Sequence, residues 1–151
     1  MISEVELTEG DPTPTIYRRL TANLSTLASV LGRGWEQCSE ACQRQRIEET
    51  SHPYFILHSV EGMDIDLEVG FPLLAPLQRQ DALAQNGFLP GGEAAMLTVH
   101  GTFDDLLLAG RTLQEWCETH QRQPSGPNYH ILAGGDPSAG IWHFEIYLPL
   151  A

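Results

Sequence analysis

The 151-residue chain contains no lysine: its eight basic side chains are all arginine, set against twenty Asp and Glu, for a net charge of −12 and a pI near 4.7. Proteins that bind duplexes neutralise several phosphates at once, so this balance excludes direct nucleic-acid binding as an expectation. It favours cationic ligands or a partner protein with a basic surface. Long apolar runs are also missing. Nothing approaches the roughly 20 residues that span a bilayer, and Glu4, Glu6 and Glu9 stand where a signal peptide carries positive charge. A cytoplasmic protein without membrane attachment is expected. Cysteine is scarce, with Cys38 and Cys42 four apart on a predicted helix and Cys117 alone. No further Cys or His spacing completes a zinc pattern, and His52, His58, His100 and His120 are not spaced to gather at a metal. Reduced structural thiols, no metal and no cofactor are therefore expected.

What the chain does have is a repeat. In Trp142-His143-Phe144-Glu145-Ile146-Tyr147-Leu148-Pro149-Leu150 a carboxylate sits inside an apolar strand pattern, where an unpaired charge costs several kcal/mol. Seventy-seven residues earlier, Glu68-Val69-Gly70-Phe71-Pro72-Leu73 repeats its core. Tyr54-Phe55-Ile56-Leu57 likewise matches Tyr129-His130-Ile131-Leu132.

Taken in order, Ile2 to Leu7 reads as a leading strand closed by Gly10-Asp11-Pro12, and Thr13 to Thr21 as a second, with Ile16 and Leu20 opposite Tyr17 and Arg19. Asn23 or Ser25 is placed to cap a helix with Leu24, Leu27, Ala28, Leu31, Trp35, Cys38 and Cys42 on one face. Tyr54–Val60 and Met63–Phe71 form a hairpin across Glu61-Gly62, and residues 74–91 a connector. The series then restarts: a strand over 94–100, a helix over 103–120 with Asp104 and Asp105 in its first turn, and strands over 129–133 and 141–150. The predicted fold class is α+β: two pseudo-two-fold related βαββ repeats, about 13–73 and 92–150, in a single domain. A unit of that size buries only one sheet face, so the repeats are expected to form a sheet with helices on one face and a ligand groove between the halves.

Strand alternation assigns the faces. Leu67, Val69, Phe71, Phe144, Ile146 and Leu148 are expected under the helices. The opposite parity carries Glu68, Glu145, Tyr147 and His143, and the same rule adds Tyr17, Phe55, Met96, His130 and Leu132 to the groove. Aromatic rings, a thioether and carboxylates together suit flat or amphipathic cations, through stacking and ion pairing.

Gly92-Glu93-Ala94-Ala95, His100-Gly101-Thr102-Phe103-Asp104, Leu113 to Trp116, Gly126-Pro127 and Glu145-Ile146-Tyr147-Leu148-Pro149-Leu150 resemble the GyrI-like small-molecule-binding domain family. That domain also serves as the effector-binding domain of bacterial AraC-type and multidrug-responsive regulators. The resemblance implies the same paired βαββ fold, with Glu145 and Tyr147 at the pocket. Phe103 replaces the usual Tyr, Thr102 the frequent Pro, and His130 a pocket Glu, leaving Glu145, with Glu68, as the available acid.

Three functions follow as expectations. One is a stand-alone binder of amphipathic, including cationic, small molecules for drug or toxin sensing or sequestration; the first 20 residues hold no helix-turn-helix unit. Another is a hydrolase of strained alkylating natural products, with Glu145 and Tyr147 as candidate catalytic residues. The third is an acidic interaction protein that modulates a DNA topoisomerase or a regulator. Both monomer and homodimer fit the sequence.

Overall fold

A computed structural model describes residues 1–50, 52–136 and 139–151. Ser51, in the predicted polar segment 48–53, and Pro137 and Ser138, in the predicted 134–138 turn, lie outside the described residues. In chain order the elements are β1 (Glu6–Gly10), β2 (Thr13–Ala22), α1 (Leu27–Gln45), β3 (Tyr54–Glu61), β4 (Asp64–Pro72), β5 (Gln85–Leu89), β6 (Gly92–Gly101), α2 (Phe103–Thr119), β7 (Tyr129–Asp136) and β8 (Ile141–Pro149). This is an α+β fold in which every described pairing of these strands is antiparallel. Among the described residues no helix is long and apolar enough to cross a membrane.

The chain forms two compact units. The first-repeat unit, Pro12–Leu89, orders its strands β3-β4-β2-β5. Its βαββ core matches the expectation, but the connector contributes β5, which pairs with β2. The sequence hid that strand because Gln85-Asn86-Gly87-Phe88-Leu89 has turn residues where a strand is usually branched or aromatic. Helix α1 starts later than expected: Thr26 is the N-cap, and the Asn23 side chain instead accepts the Thr26 N–H at 3.0 Å in a turn before the helix. Leu24 is left exposed. The hairpin turns at Gly62-Met63, where Gly62 takes φ 61°.

Helix and sheet in this unit approach closely at Gly34. A Cβ there would stand 2.2 Å from Val69 Cγ2, so glycine is what lets α1 lie on β4. Ile16, Cys38, Ala41, Cys42, Phe71, Leu73, Leu77 and Ala84 form a buried cluster with Trp35 packed against it. The Trp35 indole N–H donates to the Tyr54 carbonyl at 2.9 Å. Arg44, near the end of α1, grips Asp81 through both its Nε and Nη2, which ties the connector to the helix.

The second-repeat unit joins Met1–Asp11 to Pro90–Ala151, with strand order β1-β6-β8-β7. The leading strand falls on Glu6–Gly10 rather than Ile2–Leu7, and runs antiparallel to β6. Helix α2 begins at a capping box in which Asp105 accepts the Thr102 backbone N–H at 2.8 Å; that bond, foremost, holds the Asp105 carboxyl below its ordinary value. Trp142 is buried against Phe144 and Phe103. Trp116 is half-buried and stacks on His120 at 4.3 Å.

Candidate functional site

The face opposite each helix is fixed by cross-strand register, because directly opposed residues in antiparallel strands point to the same side. In the first-repeat unit Arg18 reaches Gln37 of α1, and Leu20 and Val69 lie against Gly34, so Arg18, Leu20, Leu67 and Val69 face the helix. Tyr17, Arg19, Glu68 and Gly70 take the other face, as expected. In the second-repeat unit Phe103 of α2 packs on Trp142. Trp142, Phe144, Ile146 and Leu148 therefore face α2, and His143, Glu145, Tyr147, Met96 and Thr98 face away.

Three predicted site residues lie on the wrong side. Phe55 is opposed to Val69, His130 to Ile146 and Leu132 to Phe144, so all three turn toward the helices. Phe55 is 0% exposed and His130 3%, with the imidazole edge-on to Phe144 at 6.5 Å. The cause is a bulge at the equivalent position of each repeat, between Leu57 and Ser59 in β3 and between Leu132 and Gly134 in β7. An unbroken ladder counted back from each hairpin would set Phe55 opposite Gly70 and His130 opposite Tyr147. One extra residue reverses the parity of everything beyond it.

The residues that do take these positions are Tyr54 and Ile56 beside Gly70 and Glu68, and Tyr129 and Ile131 beside Tyr147 and Glu145. They were missed, although the Tyr54/Tyr129 match within the repeat was the available signal. In the first-repeat unit the Tyr54 hydroxyl donates to Glu68 Oε2 at 2.6 Å, and the His58 Nε2–H donates to Oε1 at 3.0 Å. His58 occupies the bulge, which aims its ring at Glu68. The Tyr54 oxygen is also 3.3 Å from the buried Thr15 hydroxyl; with its own proton on Glu68, it accepts there. Burial first, then the Glu68 charge and hydrogen bond, push the Tyr54 phenol far above its ordinary value. Glu68 is thus a carboxylate with both oxygens engaged inside its own unit.

Tyr17 shares this face but leans the other way. Its hydroxyl donates to Gln85 Oε1 at 2.9 Å, and its ring covers Gly87, where a Cβ would come within 2.8 Å of ring carbons. Arg19 pairs with Asp66 at 2.7 Å in an exposed ion pair, worth about 0–1 kcal/mol. A cavity of about 540 Å³ in this unit is lined by Thr21, Asn23, Ser59, Glu61, Asp64 and Asp66, beyond Glu68 toward the hairpin turn, and includes neither Glu68 nor Tyr54.

In the second-repeat unit the equivalent carboxylate is differently placed. Tyr129 and Tyr147 stack with ring centroids 4.9 Å apart and planes 6° from parallel. Glu145 lies two residues back from Tyr147 on the same strand face. Burial, followed by the nearby Glu145 carboxylate, raises the Tyr147 phenol; burial, with Tyr147 beside it, pushes Tyr129 up to about 12. Thr98 and Ile131 flank Glu145, and Met96 flanks Tyr147. Farther along the face His143 and His100 stack at 5.0 Å. The arrangement is an aromatic wall with a carboxylate at its edge. Among the described residues no group of three or more His, Cys, Asp or Glu is placed to hold a metal.

No family model matches the sequence, and no curated protein does. Solved structures do match. The C-terminal domain of EcmrR superposes with a TM-score of 0.80, covering 98% of this chain and 97% of that one at 15% identity. This chain has the fold of that domain. The EcmrR chain in its complex with DNA also gives 0.80, and this chain spans 57% of its length. A hydrolase from Listeria innocua gives 0.66 at 9% identity, covering 98% and 92% of the two chains. SAV2435 bound to tetraphenylphosphonium gives 0.58 at 10% identity, covering 99% and 94%. The shared architecture agrees with the GyrI-like resemblance in the sequence.

Proposed function

We propose that this chain binds amphipathic small molecules carrying a cationic centre, with Glu145 as the anchor. The observation that carries the reading is the Tyr129–Tyr147 stack next to Glu145 on the non-helix face of the second-repeat unit. Aromatic faces beside a carboxylate attract organic cations, and the apolar body of such a ligand gains from contact with rings and a thioether. A protein of the same fold, SAV2435, has been solved with tetraphenylphosphonium, a lipophilic cation. The strongly acidic charge of the whole chain favours the same ligand class.

Calorimetry with tetraphenylphosphonium and with neutral triphenylphosphine oxide tests the proposal. Glu145→Gln is expected to weaken the cation by about 1.5–3 kcal/mol, the range for a hydrogen bond or contact to a charged group, and to leave the neutral compound nearly unchanged. Equal losses for both would reduce Glu145 to a shaping role. The hydrolytic reading uses the same Glu145–Tyr147 pair, and mass spectrometry of recovered ligands separates the two. An unaltered ligand supports binding; gain of one water supports hydrolysis.

A further inference from the structure

We propose that His100 and His143 form a two-histidine binding site for a divalent transition ion, Zn²⁺ or Ni²⁺. The two residues are 43 positions apart in sequence and directly opposed in the β6–β8 ladder, with ring centroids 5.0 Å apart and planes 28° from parallel. Directly opposed side chains in antiparallel strands start from Cβ atoms about 4.5–5.5 Å apart. Two imidazole nitrogens that share a metal at about 2.0–2.1 Å each must come within about 3 Å of one another, so rotation of the two rings closes the site without moving the backbone.

The surroundings leave room for this. His100 is exposed and His143 half-buried, so water completes the coordination sphere from the open side. Gly134 lies opposite His143 on β7, and a Cβ there would stand 3.2 Å from the His143 Nδ1. Glycine keeps that side of the ring free of a side chain. Glu145 follows His143 two positions along on the same face, placing a negative charge near the incoming cation. Imidazole donors suit zinc, nickel and copper better than magnesium or calcium, which select oxygen. With two protein ligands the ion is exchangeable rather than a structural element of the fold. This site is independent of the small-molecule reading and stands or falls on its own.

Zinc titration of the untagged, reduced protein by calorimetry tests the proposal, with nickel as a second probe. One equivalent is expected to bind, and His100→Ala or His143→Ala should each weaken it by at least about tenfold, the loss that even outer-sphere changes bring at metal sites. His120→Ala, whose ring stacks on Trp116, should leave the affinity unchanged. Histidine side-chain NMR of the unaltered protein gives a readout that needs no variant: zinc should shift the resonances of these two imidazoles and spare those of His52 and His120. Absence of binding, binding that survives both substitutions, or shifts confined to other histidines would each overturn the proposal.

Discussion

The Tyr54 hydroxyl donates a 2.6 Å hydrogen bond to the Glu68 carboxylate, whereas at the equivalent place in the other repeat Tyr129 stacks on Tyr147. The difference comes from one position. Where the second repeat has Tyr147, the first has Gly70, and the vacated space is filled by Tyr54 reaching Glu68 and by the close-lying backbone of β2.

Tyr54→Phe should destabilise the protein by about 1.5–3 kcal/mol, because it strips a hydrogen-bond donor from a largely buried carboxylate. Urea denaturation measures it. A change within experimental scatter would show that His58 alone satisfies Glu68.

Alkali should unfold the protein earlier than its acidic surface alone predicts. Tyr54, Tyr129 and Tyr147 all have phenols raised by burial above the unfolded value of about 10. A raised acid favours its neutral form in the fold, so this stability is complete below about pH 10 and is lost as pH climbs through the folded values. Denaturation midpoints measured from pH 8 upward by about four units should fall steadily past pH 10, and Tyr54→Phe should flatten the decline. The same burial pushes the Cys38 thiol up to about 12 and Cys42 up to about 11, so neither should react with a thiol reagent near neutral pH until denaturant is added.

Gly70→Ala should cost at least about 2 kcal/mol, in the upper part of the range for overpacking. A Cβ at Gly70 would lie 1.9 Å from the Ile16 carbonyl oxygen, a backbone atom that cannot move without breaking the β2–β4 ladder. Thermal or urea unfolding of the variant checks this; wild-type stability would mean that β2 shifts freely.

Glu68→Gln should behave unlike Glu145→Gln. With both Glu68 oxygens held by Tyr54 and His58, its substitution should lower folding stability and change tetraphenylphosphonium affinity less than Glu145→Gln does. Paired calorimetry and unfolding curves on the two variants decide it. A larger affinity loss from Glu68→Gln would move the anchor to the first-repeat unit.

Much of the architecture was legible in the residues. The shared Glu-x-x-x-Pro-Leu motif and the 3.6-residue apolar stripes gave both βαββ cores, both helices and the faces of Glu68, Glu145, Tyr147, Tyr17 and Met96. Periodicity suffices there because β2, β4, β6 and β8 pair without interruption along the stretches concerned. The strand β5 was not legible, since its residues carry no strand pattern and its pairing with β2 supplies the order.

By itself, then, the sequence determined the α+β class, the internal duplication, the acidic character and the two strand-borne glutamates, all of which depend on local spacing or on counting. The tertiary structure alone decided which neighbours those glutamates have. Bulges in β3 and β7 turn Phe55, His130 and Leu132 to the helix side, bring Tyr54 and His58 to Glu68, and set Tyr129 opposite Tyr147 and Ile131 opposite Glu145. Pairing of β6 with β8 sets His100 against His143. A bulge adds one residue without marking the composition, and cross-strand partners are chosen by register between distant segments, so neither can be read from spacing along one strand.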